Sequence, residues 1–257
     1  MDSKAAGAAD RATHESLLMR TNWTDTLWSL RISRPADFRF EPGHYARLGL
    51  EQPDGSVLWR PYSIVSAPDD AALEFLVVRV AGGPFTQQLD QLAIGQPVLL
   101  DPAAYGFFIA RQLLPGGTLW MLATGTGLGP YVSLLRTPGA LHAFARVILV
   151  HSVRHRDDLA YRTEIEQAVA SAPQGLTYIP VVTRDTVPGL PSARIPALIA
   201  DGSLQDMAGV ALTPDSSRVM VCGHPDFTAD MRRLLGERGF TPCRRASPGS
   251  MLFEKYW

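Results

Sequence analysis

Residues 118–130, T-L-W-M-L-A-T-G-T-G-L-G-P, constrain the fold more than any other stretch. An almost unbroken apolar run of this length is a strand covered on both faces. The glycine turn after it leads into a helix-like segment, Tyr131–Arg136. The alternation then repeats, with strand signals at Arg146–His151, Tyr178–Thr183 and Arg218–Cys222. Helical patterns fall at Arg162–Ala170, Arg194–Ala200 and Pro225–Arg238. Strands and helices in this order predict a parallel sheet clothed by helices on both sides, with ligands docking at its carboxyl edge.

The first half has another rhythm. Thr24–Ile32, Tyr45–Leu50 and Leu73–Val80 are β-rich runs divided by Gly43, Pro53-Asp54-Gly55, Pro68-Asp69-Asp70, Gly82-Gly83-Pro84 and Gly95. Short strands between such turns predict a small antiparallel barrel or sandwich, with one short helix at 86–92. The rhythm changes across 111–117. The expected organisation is a disordered leader at 1–15, a β-barrel domain at 16–113 and an α/β domain at 114–257.

Hydrophobic residues fill 46% of the 257 positions and charged residues 19%, enough to bury a sizeable core and to exclude wholesale disorder. A net charge of −1 gives no global field for nucleic acid or an anionic membrane. Cys222 and Cys243 are too few for a plant-type iron–sulfur cluster or a four-cysteine zinc site, and no metal site is expected. No apolar run reaches the ~18 residues of a membrane-spanning helix. The N-terminus lacks the apolar centre of a signal peptide. Cytoplasm is the expected compartment.

Three constellations can carry chemistry. Gly125-Thr126-Gly127-Leu128-Gly129-Pro130 joins a buried strand to a helix, where glycines let a pyrophosphate approach the backbone; it is equally the form of a plain strand-to-helix turn. Arg60-Pro61-Tyr62-Ser63 sets a guanidinium, a ring and a hydroxyl along one extended segment. Val221-Cys222-Gly223-His224-Pro225 turns the chain over the sheet edge, which leaves Cys222 either a buried apolar filler or a neighbour of the site. The chain closes on Phe253-Glu254-Lys255-Tyr256-Trp257, and aromatics so placed need the protein or a planar ligand to cover them.

In this order the motifs resemble the ferredoxin–NADP⁺ reductase family, and most closely its short bacterial ferredoxin/flavodoxin type. The likeness runs from about Asn22 to Trp257 and includes Trp120–Pro130, Gly106-Phe107-Phe108, Arg194–Ile199 and the closing Tyr-Trp. It implies an FAD-binding barrel followed by an NADP-binding α/β domain. It further implies hydride transfer from NADPH to flavin N5 and release of single electrons to an acidic carrier, ferredoxin or flavodoxin. The protein is expected to be a monomer.

Position by position, the resemblance gives Arg60 the FAD pyrophosphate, Tyr62 the isoalloxazine and Ser63 flavin N5, with Pro61 also in the FAD site. Gly83, Phe85 and Thr86 match the turn and helix start that hold the flavin phosphates. Thr126 and Gly127 face the nicotinamide and the NADP pyrophosphate, Thr126 also bordering FAD; Cys222 lies beside the nicotinamide–flavin stack, and Gly223 belongs to the NADP site. Phe253 approaches the second flavin face, and Trp257 stacks on the adenine. Ser63, Cys222 and Glu254 are the implied catalytic residues, Glu254 from its place in the tail. Arg154, Arg184 and Arg194 gather around the 2′-phosphate, with Arg156 a weaker fourth. Arginine is the side chain suited to such a dianion.

Charge also divides along the chain: residues 218–257 hold 7 basic and 4 acidic side chains against 17 and 21 before them. Arg244 and Arg245 are therefore candidates for docking the carrier. Other readings stay open: a standalone oxygenase, ferric or free-flavin reductase on the same two domains, or a non-catalytic nucleotide-sensing module. Two cysteines disfavour only a fused iron–sulfur module.

Overall fold

The computed structural model describes residues 11–172, 175–245 and 247–255. Thr13–Asn22 (β1), Leu27–Ser33 (β2), Tyr45–Glu51 (β3), Val57–Ser63 (β4), Ala72–Val78 (β5) and Pro97–Leu100 (β6) form one antiparallel sheet, in the order β4-β3-β6-β1-β2-β5. A bridge between Ile64 and Phe75, with Val65 N–H donating to Glu74 O at 2.8 Å, joins the sheet's outer strands into a barrel. Trp28, Leu30, Ile32, Leu48, Leu73, Phe75, Val98 and Leu100 fill it. Pro84–Asp90 (α1) lies against this core through Phe85 and Leu89. The helix starts two residues earlier than its sequence pattern suggests because proline suits the first helical turn.

One expectation is corrected at the N-terminal end. Thr13–Glu15, counted with the disordered leader, open β1 and pair with β6. Glu15 is buried and accepts a hydrogen bond from Ser33 Oγ, so this strand has an interior partner for its charge. Residues 1–10 lie outside the described residues. Thr24–Thr26, read as the start of a strand, form a turn instead: Thr24 Oγ1 accepts from the N–H groups of Thr26 and Leu27, and β2 begins only after it.

Thr118–Thr124 (β7), Arg146–Val153 (β8), Leu176–Val182 (β9), Ser217–Gly223 (β10) and Met251–Lys255 (β11) form the second sheet, wholly parallel and ordered β11-β10-β7-β8-β9. The tail is thus a strand that extends the sheet's edge. Alternate residues of the apolar strands serve two cores. Leu119, Met121 and Ala123 pack with Gly129–Arg136 (α2) and Arg162–Ser171 (α3), together with Leu27, Val65 and Leu76 of the barrel. Trp120 and Leu122 pack with Ile195–Ala200 (α4), Ser203–Ala208 (α5) and Pro225–Glu237 (α6). One sheet face therefore meets the barrel, and the two halves share a continuous apolar contact. Among the described residues, no helix is long and apolar enough to cross a membrane.

Polar bonds reinforce the seam. Glu74 of β5 accepts from Tyr161 Oη at 2.6 Å and from Arg136 Nη1 at 2.9 Å, while Arg136 grips Glu164 with a second pair of bonds. Ser133 Oγ donates to Ser66 O at 2.6 Å. Tyr161 is the one non-glycine residue with positive φ, 57°, among the described residues. Its ring lies between Trp23, at 4.8 Å, and the Arg136 guanidinium, at 5.4 Å, contacts that hold a strained backbone in place.

Candidate functional site

Ser63 ends β4 opposite Tyr45, at the barrel's rim facing the second half. On the other side of the seam, β10 and β11 run in register with Cys222 beside Glu254. Side chains at paired positions share one sheet face, and the three groups meet. Ser63 Oγ donates to Glu254 Oε1 at 2.8 Å, and Cys222 Sγ lies 3.8 Å from the same oxygen. A serine from the barrel and a thiol and a carboxyl from the parallel sheet form one cluster.

Burial governs the charge of this cluster. It lifts the Glu254 carboxyl from about 4.5 to about 7, while the bonds from Ser63 and Cys222 pull weakly the other way. A carboxyl set there gains and loses a proton near neutrality. Cys222 itself is fully buried. Its carbonyl is why position 127 must be glycine: a Cβ there would stand 2.3 Å from Cys222 O. Gly223 has φ 151°, and a Cβ on it would meet Thr124 Oγ1 at 1.9 Å. The glycine turn and the Cys-Gly turn are thus packed backbone against backbone.

The R-P-Y-S segment supplies the rest of the barrel rim. Arg60 is exposed; its Nη1 donates to Trp59 O at 2.8 Å, and no acidic side chain among the described residues pairs with it. Tyr62 sits 5.8 Å from Phe85, ring to ring, and its burial pushes the phenol far above its usual range, so it is a neutral apolar surface. Thr86 Oγ1 accepts from Val80 N–H and donates to Gly83 O, which fastens the turn entering α1. Gly83 caps that helix without a side chain. Thr126 is partly exposed in the 3₁₀ turn Gly125–Leu128.

At the carboxyl edge of the parallel sheet, Arg154 follows β8 and Arg184 follows β9, with Arg184 N–H donating to Arg154 O at 2.8 Å. Arg194 precedes α4 as its N-cap. All three are exposed, and among the described residues no carboxylate pairs with their guanidinium groups. Arg154 and Arg184 are thus neighbours along the backbone, and Arg194 stands at the start of the next helix.

Phe253 is corrected. The resemblance brings its ring to the second flavin face, but it alternates with Glu254 along β11 and so points to the opposite side of the sheet. There it packs with the α4–α6 core, under the Arg232 guanidinium at 4.2 Å. Glu254, not Phe253, occupies the side facing Ser63. Trp257, assigned to the adenine, lies outside the described residues. Neither cysteine is in a disulfide, and Cys243 Sγ donates to Gln112 O at 3.2 Å.

Sequence reasoning missed His151. It closes the apolar run R-V-I-L-V-H within β8, is fully buried, and holds Gly125 O with Nε2 at 3.0 Å. Burial lowers it to about 4, so the imidazole is neutral and serves as a prop for the glycine turn. A polar residue closing a buried strand was the available signal. Tyr131 was missed too: its hydroxyl donates to the carbonyls of Met220 and Leu122 beneath the β7–β10 pair.

Comparison with known proteins agrees with the two-domain fold. Residues 20–103 match the oxidoreductase FAD-binding domain family and residues 121–233 the oxidoreductase NAD-binding domain family. Ferredoxin–NADP reductase A of Sorangium cellulosum is 38% identical over 95% of this chain and 89% of its own length. The flavodoxin/ferredoxin–NADP reductase of Escherichia coli is 39% identical over 92% of this chain and 95% of its own. The crystal structure of a ferredoxin NADP⁺ reductase from Neisseria gonorrhoeae with bound FAD and NADP superposes with a TM-score of 0.91 at 33% identity, covering 96% of this chain and 99% of that one.

Proposed function

The chain belongs to the ferredoxin/flavodoxin–NADP⁺ reductase family, and from that premise we propose how its own residues serve the reaction. It is a flavoprotein oxidoreductase that exchanges electrons between NADP(H) and ferredoxin or flavodoxin, with FAD as its cofactor. The FAD-binding unit is taken as 13–113, since β1 opens at Thr13, and the NADP-binding unit as 114–257.

The barrel rim suits a flavin dinucleotide. Arg60 offers an exposed guanidinium with no acidic partner among the described residues for the pyrophosphate, Tyr62 and Pro61 a neutral apolar surface for the ring system, and Ser63 a hydroxyl at its end. Gly83, Phe85 and Thr86 border that surface and would hold the phosphate side. When bound, FAD supplies the exchange between two-electron hydride chemistry and one-electron transfer. Ser63 and Glu254 would hold and move the proton at flavin N5, and Cys222 would shape the place of the nicotinamide. Gly127, Thr126 and Gly223 would give the nucleotide close backbone approach. Arg154, Arg184 and Arg194 would bind the 2′-phosphate and favour NADP(H) over NAD(H).

The observation that carries this reading is the meeting of Ser63, Cys222 and Glu254 at the seam between the halves. A nucleotide on the parallel sheet and a flavin on the barrel would face each other there. The test is a visible spectrum of the purified protein, followed by anaerobic titration with NADPH and with NADH. Flavin bands bleached far more readily by NADPH are expected. A colourless protein that takes up no added FAD overturns the reading.

A further inference from the structure

An acid stands among the arginines at the sheet edge. Asp185 follows Arg184 directly, and Coulomb's law alone makes a carboxylate a poor neighbour for a phosphate dianion. Its bonds show what it does there. Oδ2 accepts from the Arg156 backbone N–H at 2.7 Å, and Oδ1 lies 2.8 Å from His155 Nδ1. A carboxylate only accepts, so His155 Nδ1 carries the proton. Both bonds also hold the Asp185 carboxyl below its ordinary range.

These bonds reach from the loop after β9 to the loop after β8. The first loop carries Arg184, and the second carries Arg154 with His155 and Arg156 directly behind it. Arg184 N–H to Arg154 O, and Thr183 N–H and Oγ1 to Val153 O, each at 2.8–3.0 Å, complete the junction. Without Asp185 the backbone bonds end at Arg154, and residues 155–156 lose their tie to the β9 loop.

We propose that Asp185 is a positioning residue for NADP(H) recognition: it staples the β8 and β9 loops together and so sets the spacing of Arg154 and Arg184. The inference rests on the placement of the 2′-phosphate among these arginines. It makes Asp185 favourable to binding despite its sign, because arginines held at a fixed spacing lose less freedom on meeting the phosphate.

The sign is the test. Titration calorimetry on the FAD-loaded protein with 2′,5′-ADP and with 5′-ADP separates the 2′-phosphate from the rest of the nucleotide. Asp185→Ala is expected to weaken 2′,5′-ADP about fivefold, the worth of one to two hydrogen bonds, and to leave 5′-ADP unchanged. Asp185→Asn, which keeps an acceptor for Arg156 N–H but none for His155, is expected to fall between. Unchanged or tighter 2′,5′-ADP binding by Asp185→Ala overturns the proposal, since loss of a repelling charge alone gives tighter binding. An equal loss for both ligands overturns it too. Arg154→Ala and Arg184→Ala test the underlying reading separately: if neither changes the ratio of the two affinities, the 2′-phosphate binds elsewhere. If they lower it while Asp185→Ala does not, only the staple is wrong.

Discussion

Ser63 and Glu254 stand 191 residues apart in the chain and 2.8 Å apart in space, the hydroxyl donating to the carboxyl across the seam between the two halves. The serine closes a barrel strand, and the glutamate sits on the last strand of the parallel sheet. Neither half holds the pair alone. Ser63→Ala removes the hydroxyl but leaves Arg60 and Tyr62 in place. It is therefore expected to slow flavin reduction by NADPH at least tenfold while FAD retention changes little. Stopped-flow absorbance measures the first and the flavin-to-protein ratio the second. Unaltered reduction would remove Ser63 from the chemistry.

The Glu254 carboxyl, raised by burial to about 7, gives the same pair a signature in pH. The folded protein holds this proton more tightly than the unfolded chain, whose carboxyl titrates near 4.5. Its stabilising contribution is full below about 4.5 and is lost as pH rises through about 7, a swing of at most about 3 kcal/mol. Glu254→Gln is expected to flatten that part of the stability curve and to abolish an inflection near pH 7 in the rate of flavin reduction. Urea unfolding at several pH values and a pH–rate profile check the two arms. An inflection that survives in the glutamine variant belongs to another group.

Local chemistry made much of this legible. The apolar run 118–124 and its glycine turn announced β7 and the parallel sheet, because a strand buried on both faces cannot hide its composition. Ser63 and Cys222 were accessible through the motifs that surround them. Strands β1, β6 and β11 were not, since Glu15, Pro97 and Lys255 break the apolar alternation that marks a strand. Phe253 fails for a related reason: its face depends on the register of β11 against β10, and a shift of one residue would exchange it with Glu254. Asp185 acts through the Arg156 N–H and the His155 ring of another loop, which no local pattern records, while His151 showed only as a polar residue after an apolar run.

The contact of Glu74 with Arg136 is the most consequential of the bonds at the seam. Glu74 is largely buried, and Arg136 joins it to Glu164 while lying over the Tyr161 ring. Arg136→Met keeps much of the stem but leaves Glu74 with only the Tyr161 hydroxyl. It is expected to destabilise the protein by about 2 kcal/mol. Tyr161→Phe, which removes one hydrogen bond and keeps the ring on Trp23, is expected to cost about 1 kcal/mol. Denaturant unfolding of both variants tests the order. If Arg136→Met is as stable as the parent, the Arg136 ion pairs contribute nothing to holding the halves together.

Arg244 and Arg245 are exposed, and Arg244 is fixed by paired backbone bonds with Ser247 in a tight hairpin. No acid among the described residues pairs with either, and the region from 218 onward carries a positive excess over the rest of the chain. Exposed cations attract an acidic carrier mainly by steering its approach, an effect that fades as salt screens it. Reversing both to glutamate is expected to raise the KM for ferredoxin or flavodoxin severalfold at low ionic strength and to flatten its dependence on salt. Flavin reduction by NADPH should be unchanged, since the hairpin lies apart from the Ser63–Glu254 pair in its bonding. Steady-state turnover with the carrier across a salt series measures the first, and stopped-flow reduction without carrier the second. Carrier kinetics unmoved at low salt would place the docking surface elsewhere.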